Sequence, residues 1–208
     1  MSNGFANPRE TWDARFDRDD YIFGTAPNVF LAAQRSRLMA GQRALCVADG
    51  EGRNSVWLAE QGLVVTAFDI APNAVAKAQA LAARRGVTVD HRIADLSTWG
   101  FVPESVDALV AIFIQFLGPD ERELAFARMM STVKPGGHFL LEGYRPEQLA
   151  YGTGGPGAVE NLYTREWLVQ TFRAWEIVEL AAYDAVLSEG KRHSGMSAVI
   201  DLVARRPG

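Results

Sequence analysis

The chain has 208 residues, of which 48% are hydrophobic and 22% charged, and this composition is typical of one soluble globular domain. Its net charge of -4 argues against nucleic acid as a main partner, because the neutralisation of phosphates needs a basic surface. The single cysteine excludes an internal disulfide, and the absence of a signal-peptide layout or an apolar run of ~20 residues predicts a cytoplasmic protein with no membrane span.

The first two predicted elements are helices at residues 8–18 and 27–39, joined by an aromatic loop that contains Tyr21. Strands and helices then alternate. Strands are predicted at 43–48, 63–69, 88–93, 107–113 and 137–143. Helices are predicted between them at 53–60, 72–84 and 119–132, and residues 134–137 (KPGG) predict a tight turn into the fifth strand. Such alternation predicts a parallel sheet with helices on both faces.

The pattern changes after residue 145. A glycine-bearing loop over residues 145–162, which fits either a lid or a surface excursion, precedes a predicted helix at 164–172. Two long strands follow at 175–187 and 197–205, and the joint at 188–195 is short enough for a hairpin, so the last strand should run antiparallel.

The segment from Ala44 to Asp69 carries the clearest functional signal. It reads as a strand, a glycine turn, a helix and a second strand that ends on an acid, which is how doubly wound sheets hold nucleotides. The carboxylates of Asp49 and Glu51 lie where a dinucleotide would place its pyrophosphate, and like charges at about 4 Å cost roughly 1 to 4 kcal/mol. S-adenosylmethionine (SAM), a sulfonium without phosphate, carries no such penalty.

These features, together with the terminal hairpin, resemble the class I SAM-dependent methyltransferases. The resemblance implies a doubly wound, mostly parallel α/β sheet of seven strands with an antiparallel last strand, the Rossmann-like methyltransferase fold. It implies one domain over residues 1–208, with a helical cap at 1–40, a cofactor-binding half at 41–145 and a C-terminal helix and hairpin at 146–208. The aromatic N-terminal residues and the run from Gly50 to Asn54 further resemble the tellurite-resistance (chalcogen) branch.

The same resemblance implies which residues hold SAM and its product S-adenosylhomocysteine (SAH). Asp69 would accept both ribose hydroxyls, although it also fits an N-cap of the next helix, and Asp95 would accept from the adenine amino group. The expected cofactor-binding residues are Ala48, Asp49, Gly50, Gly52, Asn54, Asp69, Ile70, Asp95, Leu96 and Ala111. Two positions depart from the family pattern, since Cys46 stands for an acid and Ala48 for a glycine.

The acceptor side is predicted from topology. The final hairpin and the end of the fifth strand lie at the carboxyl edge, where ligands bind. His193 and Tyr144 are therefore the candidate catalytic residues, and the candidate pocket residues are Tyr21, Gln115, Arg145 and Arg192. These residues fit a cationic rim for an acidic acceptor, and the hairpin residues equally fit an exposed polar tip. The three histidines show no metal-ligand spacing, so no metal is expected.

The predicted function is methyl transfer from SAM to a small molecule, such as a chalcogen oxyanion or thiol, by direct displacement. Two alternatives remain open. One is a non-catalytic SAM-binding protein, and the other is a nucleotide-dependent oxidoreductase on a similar sheet. The sequence does not indicate an oligomeric state.

Overall fold

The computed structural model describes residues 7–191 and 193–208. At its centre lies a sheet of seven strands: β1 (Arg43–Val47), β2 (Val64–Asp69), β3 (Asp90–Ile93), β4 (Val106–Ile112), β5 (Val133–Tyr144), β6 (Glu176–Glu189) and β7 (His193–Arg205). Their order across the sheet is β3-β2-β1-β4-β5-β7-β6. The pairs are parallel except that β7 runs antiparallel to both β5 and β6. The predicted doubly wound α/β fold with an antiparallel last strand is confirmed.

The helices of the described residues are α1 (Pro8–Phe16), α2 (Val29–Ala33), α3 (Arg53–Glu60), α4 (Pro72–Arg85), α5 (Pro119–Thr132), α6 (Gln148–Tyr151) and α7 (Arg165–Thr171). Several begin at sequence signals for a helix start. Proline occupies the first turn of α1, α4 and α5, and the side chain of Thr164 accepts a hydrogen bond from the Trp167 amide at the start of α7. Helix α4 ends at Gly86 with φ of 68°.

Four elements differ from the prediction. The helix expected at 27–39 is a short α2 followed by a 3₁₀ turn at Arg35–Arg37. The turn expected at residues 134–137 falls inside the span of β5, as an irregularity in its pairing with β4. The loop at 145–162 contains α6 and a second 3₁₀ turn. The final hairpin is tighter than expected, because β6 reaches Glu189 and β7 begins at His193.

Apolar side chains cover both faces of the sheet. Along β5, Leu140 packs with Leu31 and Leu58 on the face of α2 and α3, and Leu141 packs with Phe126 on the face of α5. Neighbouring strand residues point to opposite faces, so a parallel sheet needs apolar residues at successive positions. None of the described helices combines the length and apolarity needed to cross a membrane.

Candidate functional site

A cavity of about 470 Å³ lies at the carboxyl edge of the sheet. Its lining includes Asp95 after β3, Asp69 at the end of β2, Ala48 after β1, Phe113 after β4 and His193 at the start of β7. Because the strand order is β3-β2-β1-β4-β5-β7, these residues follow one another across the edge in that sequence. The cavity therefore runs from the β3 side of the sheet towards the final hairpin.

The turn after β1 has the backbone that close ligand approach requires. Residues Ala48, Gly50 and Gly52 all have positive φ, at 48°, 60° and 88°. A Cβ on Gly52 would lie 2.7 Å from the Cβ of Ala78, so this glycine lets α3 approach α4. Ala48 adopts the same left-handed region with a side chain, which strains the backbone by roughly 1 to 2 kcal/mol.

The strain at Ala48 gives a first prediction. Ala48→Gly should raise the free energy of unfolding by about 0.5 to 1 kcal/mol, because relief of the left-handed strain outweighs the added entropy of the unfolded chain. Urea denaturation measures it. Ala59→Gly, inside α3, is the control and should lose about 1 kcal/mol. If Ala48→Gly lowered the free energy of unfolding as much as Ala59→Gly does, the backbone at residue 48 would not be strained.

Asp69 is held by backbone amides at the edge of the cavity. Gly50 N–H donates to Oδ2 and Ala71 N–H donates to Oδ1, each at 2.9 Å. A carboxylate offers about four lone-pair sites, so two acceptor sites remain for a ligand. The side chain is 7% exposed, and burial raises its pKa. Asp69 is thus oriented by the turn and can still accept two hydroxyl groups.

The β3 side of the cavity carries the residues expected at the adenine. Asp95, Leu96 and Ile70 all line it. Ser97 donates to Oδ1 of Asp95 through its amide at 2.8 Å and its hydroxyl at 2.7 Å. Apolar surfaces of Ile70 and Leu96 beside an oriented carboxylate suit a flat base with an amino group.

The structure brings most of the expected cofactor residues together. Those in the cavity lining are Ala48, Asp49, Gly50, Asn54, Asp69, Ile70, Asp95 and Leu96. Gly52 and Ala111 are not in the lining: Gly52 abuts α4, and Ala111 is fully buried in the core along β4. These two residues lie behind the residues that line the cavity.

On the expected acceptor side, His193 lines the cavity. Tyr21 and Arg145 do not, because Tyr21 hydrogen-bonds the Lys77 carbonyl of α4 at 2.9 Å and Arg145 forms an ion pair with Asp184 of β6.

Two other residues predicted for the acceptor side, Gln115 and Tyr144, do not line the cavity. Gln115 bonds the backbone of Tyr144, whose ring packs on Phe113 at 4.7 Å. The hydroxyl of Tyr144 is buried, with no hydrogen-bond partner in the part of the chain that the structure describes. Arg192 lies outside the described residues.

One of the two turn carboxylates is neutralised. Lys77 Nζ of α4 lies 2.6 Å from Oε1 of Glu51, which is 2% exposed, and Phe23 N–H donates to Oε2 at 3.1 Å. Glu51 therefore fastens the aromatic N-terminal segment to the turn. Asp49, the other turn carboxylate, lines the cavity and forms no ion pair within the described residues.

Asp49 belongs to a chain of three side chains. The Ser55 hydroxyl donates to Oδ2 of Asp49 at 2.5 Å and lies 3.1 Å from Nε2 of His91 on β3. Burial raises the pKa of Asp49 to about 7 against the opposing hydrogen bonds from Ser55, and nearby Asp69 raises it further. Burial also lowers the pKa of His91 to about 4. The carboxyl group of Asp49 therefore ionises near neutral pH.

A buried polar network anchors the N-terminal segment next to the site. The Asn28 amide donates to Glu142 of β5 and Glu189 of β6, and Arg53 Nη1 lies 2.7 Å from Oε2 of Glu189. Burial, then the charges of Asp201 and Glu189, raise the pKa of Glu142 to about 8. The carboxyl group of Glu142 is therefore mostly protonated at neutral pH. Its side chain does not line the cavity.

The sequence predicted a helical cap at residues 1–40 but not which aromatic side chains of that cap line the cavity. Trp12, Phe16 and Phe23 from the N-terminal segment line it, as do Phe113 and Phe116 after β4. The spacing of Trp12 and Phe16 by four residues marked a shared helix face, but only the tertiary structure shows that this face covers the cavity. Long-range packing decides this placement.

Comparison with known proteins agrees with this geometry. Residues 44–137 match the family described as "Methyltransferase domain". An uncharacterised protein of Mycobacterium tuberculosis is 29% identical over 97 residues, which is 47% of this chain and 35% of the relative. The match thus spans only about a third of the length of this curated relative.

Solved structures show the same fold. Magnesium protoporphyrin IX methyltransferase from Synechocystis PCC 6803, solved with bound SAH, superposes with a TM-score of 0.73 at 16% identity, covering 95% of this chain and 97% of that one. TehB from Haemophilus influenzae superposes with a TM-score of 0.70 at 15% identity, covering 95% and 66%. Residues 44–137 therefore match a methyltransferase domain family, and the chain has the Rossmann-like fold of these solved methyltransferases.

Proposed function

We propose that this protein transfers the methyl group of SAM to a small-molecule acceptor bound at the final-hairpin end of the cavity. The observation that carries the proposal is Asp69, whose oxygens are fixed by the Gly50 and Ala71 amides and keep two acceptor sites at the cavity edge. That arrangement suits the two neighbouring hydroxyls of a ribose.

The remaining residues fit SAM in the same order. The positive-φ turn from Ala48 to Gly52 would hold the methionine portion, and the ionisable Asp49 beside it favours a cationic ligand. Asp95, Ile70 and Leu96 would hold the adenine. The acceptor end follows on the far side of the turn, at Phe113 and His193.

When bound, SAM supplies an activated methyl group on a positively charged sulfur. The chain then has to align the acceptor behind that methyl and exclude water. The N-terminal segment, fastened by the hydrogen bond from the Phe23 amide to Glu51, closes one side of the cavity, and the hairpin residue His193 closes another.

For the acceptor atom we propose a soft nucleophile, a thiol or another chalcogen, in keeping with the resemblance to the tellurite-resistance branch. Such atoms need little help from a base. Tyr144 acts through Phe113, which its ring contacts, rather than on the acceptor directly. The engagement of Arg145 with Asp184 removes the cation that an oxyanion would need, so a thiol fits better than an oxyanion.

A second candidate function is SAM binding without catalysis. It is favoured by the strained Ala48 in place of glycine and by Cys46, which is buried in β1 where the family pattern has an acid. Under this alternative SAH still stabilises the protein, but no acceptor is turned over.

Thermal denaturation with ligands tests the proposal. SAH should raise the Tm of the protein and NAD should not, because Asp49 disfavours a pyrophosphate at the turn. Incubation with SAM and a panel of thiols, selenite and tellurite should then give methylated product. Stabilisation by NAD alone would contradict SAM binding, and SAH binding with no turnover of the panel would favour the binding protein.

The ionisation of Asp49 predicts a pH dependence of SAM affinity. Below a pKa of about 7 the carboxyl is neutral, and above it the carboxylate attracts the cationic ligand. SAM affinity should therefore rise about tenfold from pH 6 to pH 8, the change in the ionised fraction of Asp49. Isothermal titration calorimetry at several pH values measures it.

The matched control is Asp49→Asn, which keeps the size of the side chain and removes its titration. The ligand's own amino group titrates equally in both proteins, so the difference between the two pH profiles isolates Asp49. Arg53 and Asp69 also act on Asp49 and are unchanged in this variant. Parallel profiles for the two proteins would show that another group sets the pH dependence.

A further inference from the structure

Aromatic rings form a continuous wall along the cavity, from α1, which packs on α4, to the final hairpin. Ring centroids are 6.0 Å apart for Trp12 and Phe16, 6.1 Å for Phe16 and Phe23, 4.7 Å for Phe23 and His193, and 4.2 Å for His193 and Phe113. All five residues line the cavity. We call them the aromatic wall.

The strand order separates the hairpin end of the aromatic wall, Phe113 and His193, from the residues assigned to adenine. Asp95 follows β3 at one side of the sheet edge, whereas Phe113 follows β4 and His193 begins β7 on the other side of the turn. Phe23 is tied to Glu51 of the turn by its amide at 3.1 Å. The wall thus borders the space beyond the methionine portion, where an acceptor would lie.

The charged groups beside the aromatic wall are already paired. Arg53 lines the cavity there, but it forms an ion pair with Glu189 in which both side chains are almost fully buried, at 7% and 5% exposure. The other lining arginine, Arg128, donates to the Ser97 carbonyl at 2.8 Å on the adenine side. Among the described lining residues, no uncompensated cation faces the wall.

His193 is the polar member of the aromatic wall. Its Nδ1 is buried without a hydrogen-bond partner among the described residues. Burial, then the charge of Arg53, lower its pKa to about 3, so the imidazole is neutral at physiological pH. A neutral imidazole carries one donor and one acceptor nitrogen, and the unpartnered Nδ1 can take one of these two roles toward a ligand.

Building on the proposed methyl transfer, we propose that the acceptor is an uncharged aromatic molecule with a thiol or hydroxyl group. Its ring would pack on Phe23 and Phe113, and its S–H or O–H would donate to the His193 imidazole. A lone pair of the acceptor forms the new bond to the methyl carbon as the carbon–sulfur bond of SAM breaks. The released electron pair stays on sulfur in neutral SAH, and the acceptor proton leaves through His193 to water.

Three alkyl thiols test this class of acceptor with SAM and the full chain. Phenylmethanethiol is uncharged and aromatic, 2-mercaptoethanol lacks the ring, and 4-(mercaptomethyl)benzoate adds a negative charge to the ring. The value of kcat/KM should be about tenfold higher for phenylmethanethiol than for either of the others, and selenite should be the poorest acceptor. A preference for the benzoate or for selenite would overturn the proposal.

Two variants locate the binding. Phe23→Leu should raise KM for phenylmethanethiol about tenfold with kcat little changed. His193→Phe keeps a ring in the wall and should lower kcat for benzyl alcohol more than for phenylmethanethiol, because an alcohol depends more on proton removal. Unchanged kinetics in both variants would contradict the assignment.

Binding of SAH separates this proposal from the methyltransferase proposal itself. Both variants should bind SAH like the wild type, since Phe23 and His193 belong to the hairpin end of the wall, beyond the expected cofactor position. If the wild type does not bind SAH, the proposed function is wrong. If it binds SAH but calorimetry of the SAH complex detects no binding of phenylmethanethiol, the aromatic acceptor is wrong.

Discussion

Replacement of Asp69 by asparagine should weaken SAH binding by about 100-fold. The asparagine keeps one acceptor oxygen for the Gly50 or Ala71 amide, but it loses the charge and the paired acceptors that two ribose hydroxyls require. Hydrogen bonds to charged groups contribute about 1.5 to 3 kcal/mol each, so the loss of one or two corresponds to this range. Isothermal titration calorimetry measures the affinity directly.

The control for this variant is Asp90→Asn. Asp90 begins the neighbouring strand β3, is exposed and pairs with Arg92, so the same chemical change is made outside the cavity. SAH affinity should be unchanged in that protein. Thermal denaturation of both variants without ligand shows whether the fold is intact. An Asp69→Asn protein that is folded and binds SAH within about threefold of the wild type would rule out the ribose assignment.

Replacement of Gly52 by alanine should lower the free energy of unfolding by about 2 to 4 kcal/mol. The new Cβ would lie 2.7 Å from the Cβ and 2.8 Å from the Cα of Ala78, in a residue whose φ is 88°. Backbone strain contributes about 1 kcal/mol and overpacking of α3 against α4 contributes about 1 to 3 kcal/mol. Urea denaturation measures the total.

Gly86→Ala separates the two contributions. Gly86 also has positive φ, at 68°, but a Cβ there would meet nothing within 4 Å. This variant should lose only the strain, about 1 kcal/mol. Equal losses of unfolding free energy in the two variants would mean that the close contact between α3 and α4 adds nothing to the cost of a side chain at residue 52.

Local patterns were enough to predict the sheet and its cofactor edge. The helices at 53–60 and 119–132 begin and end where they were predicted, because glycine or proline marks their starts and apolar periodicity marks their length. Asp69 and Asp95 directly follow strand-like runs, so their place at the carboxyl edge follows from the strand order alone.

The acceptor side depended on contacts between distant segments. Arg145 is drawn away from the cavity by Asp184 of β6, and Tyr21 by the backbone of Lys77 in α4. Such pairings join residues that are tens of positions apart, and no local pattern indicates them. Neither Tyr21 nor Arg145 lines the cavity for this reason, whereas aromatic residues from distant segments do.

Helix α2 is shorter than the predicted helix at residues 27–39 for a related reason. Helix α2 begins at Val29, after its N-cap Asn28, whose side chain accepts from the Leu31 amide and also donates to Glu189 in β6. The apolar periodicity of residues 27–39 is compatible with a longer helix, but the structure turns to a 3₁₀ conformation at Arg35–Arg37. The start of α2 is thus fixed by the hairpin as well as by local capping.

The most direct test of the central claim is a crystal structure of the protein soaked with SAH. We expect density for the ligand in the cavity, with the ribose hydroxyls on Asp69, the adenine beside Asp95 and the methionine portion along the turn from Ala48 to Gly52. Crystals of the soaked protein with clear density for these residues and an empty cavity, or with the ligand elsewhere, would contradict the account.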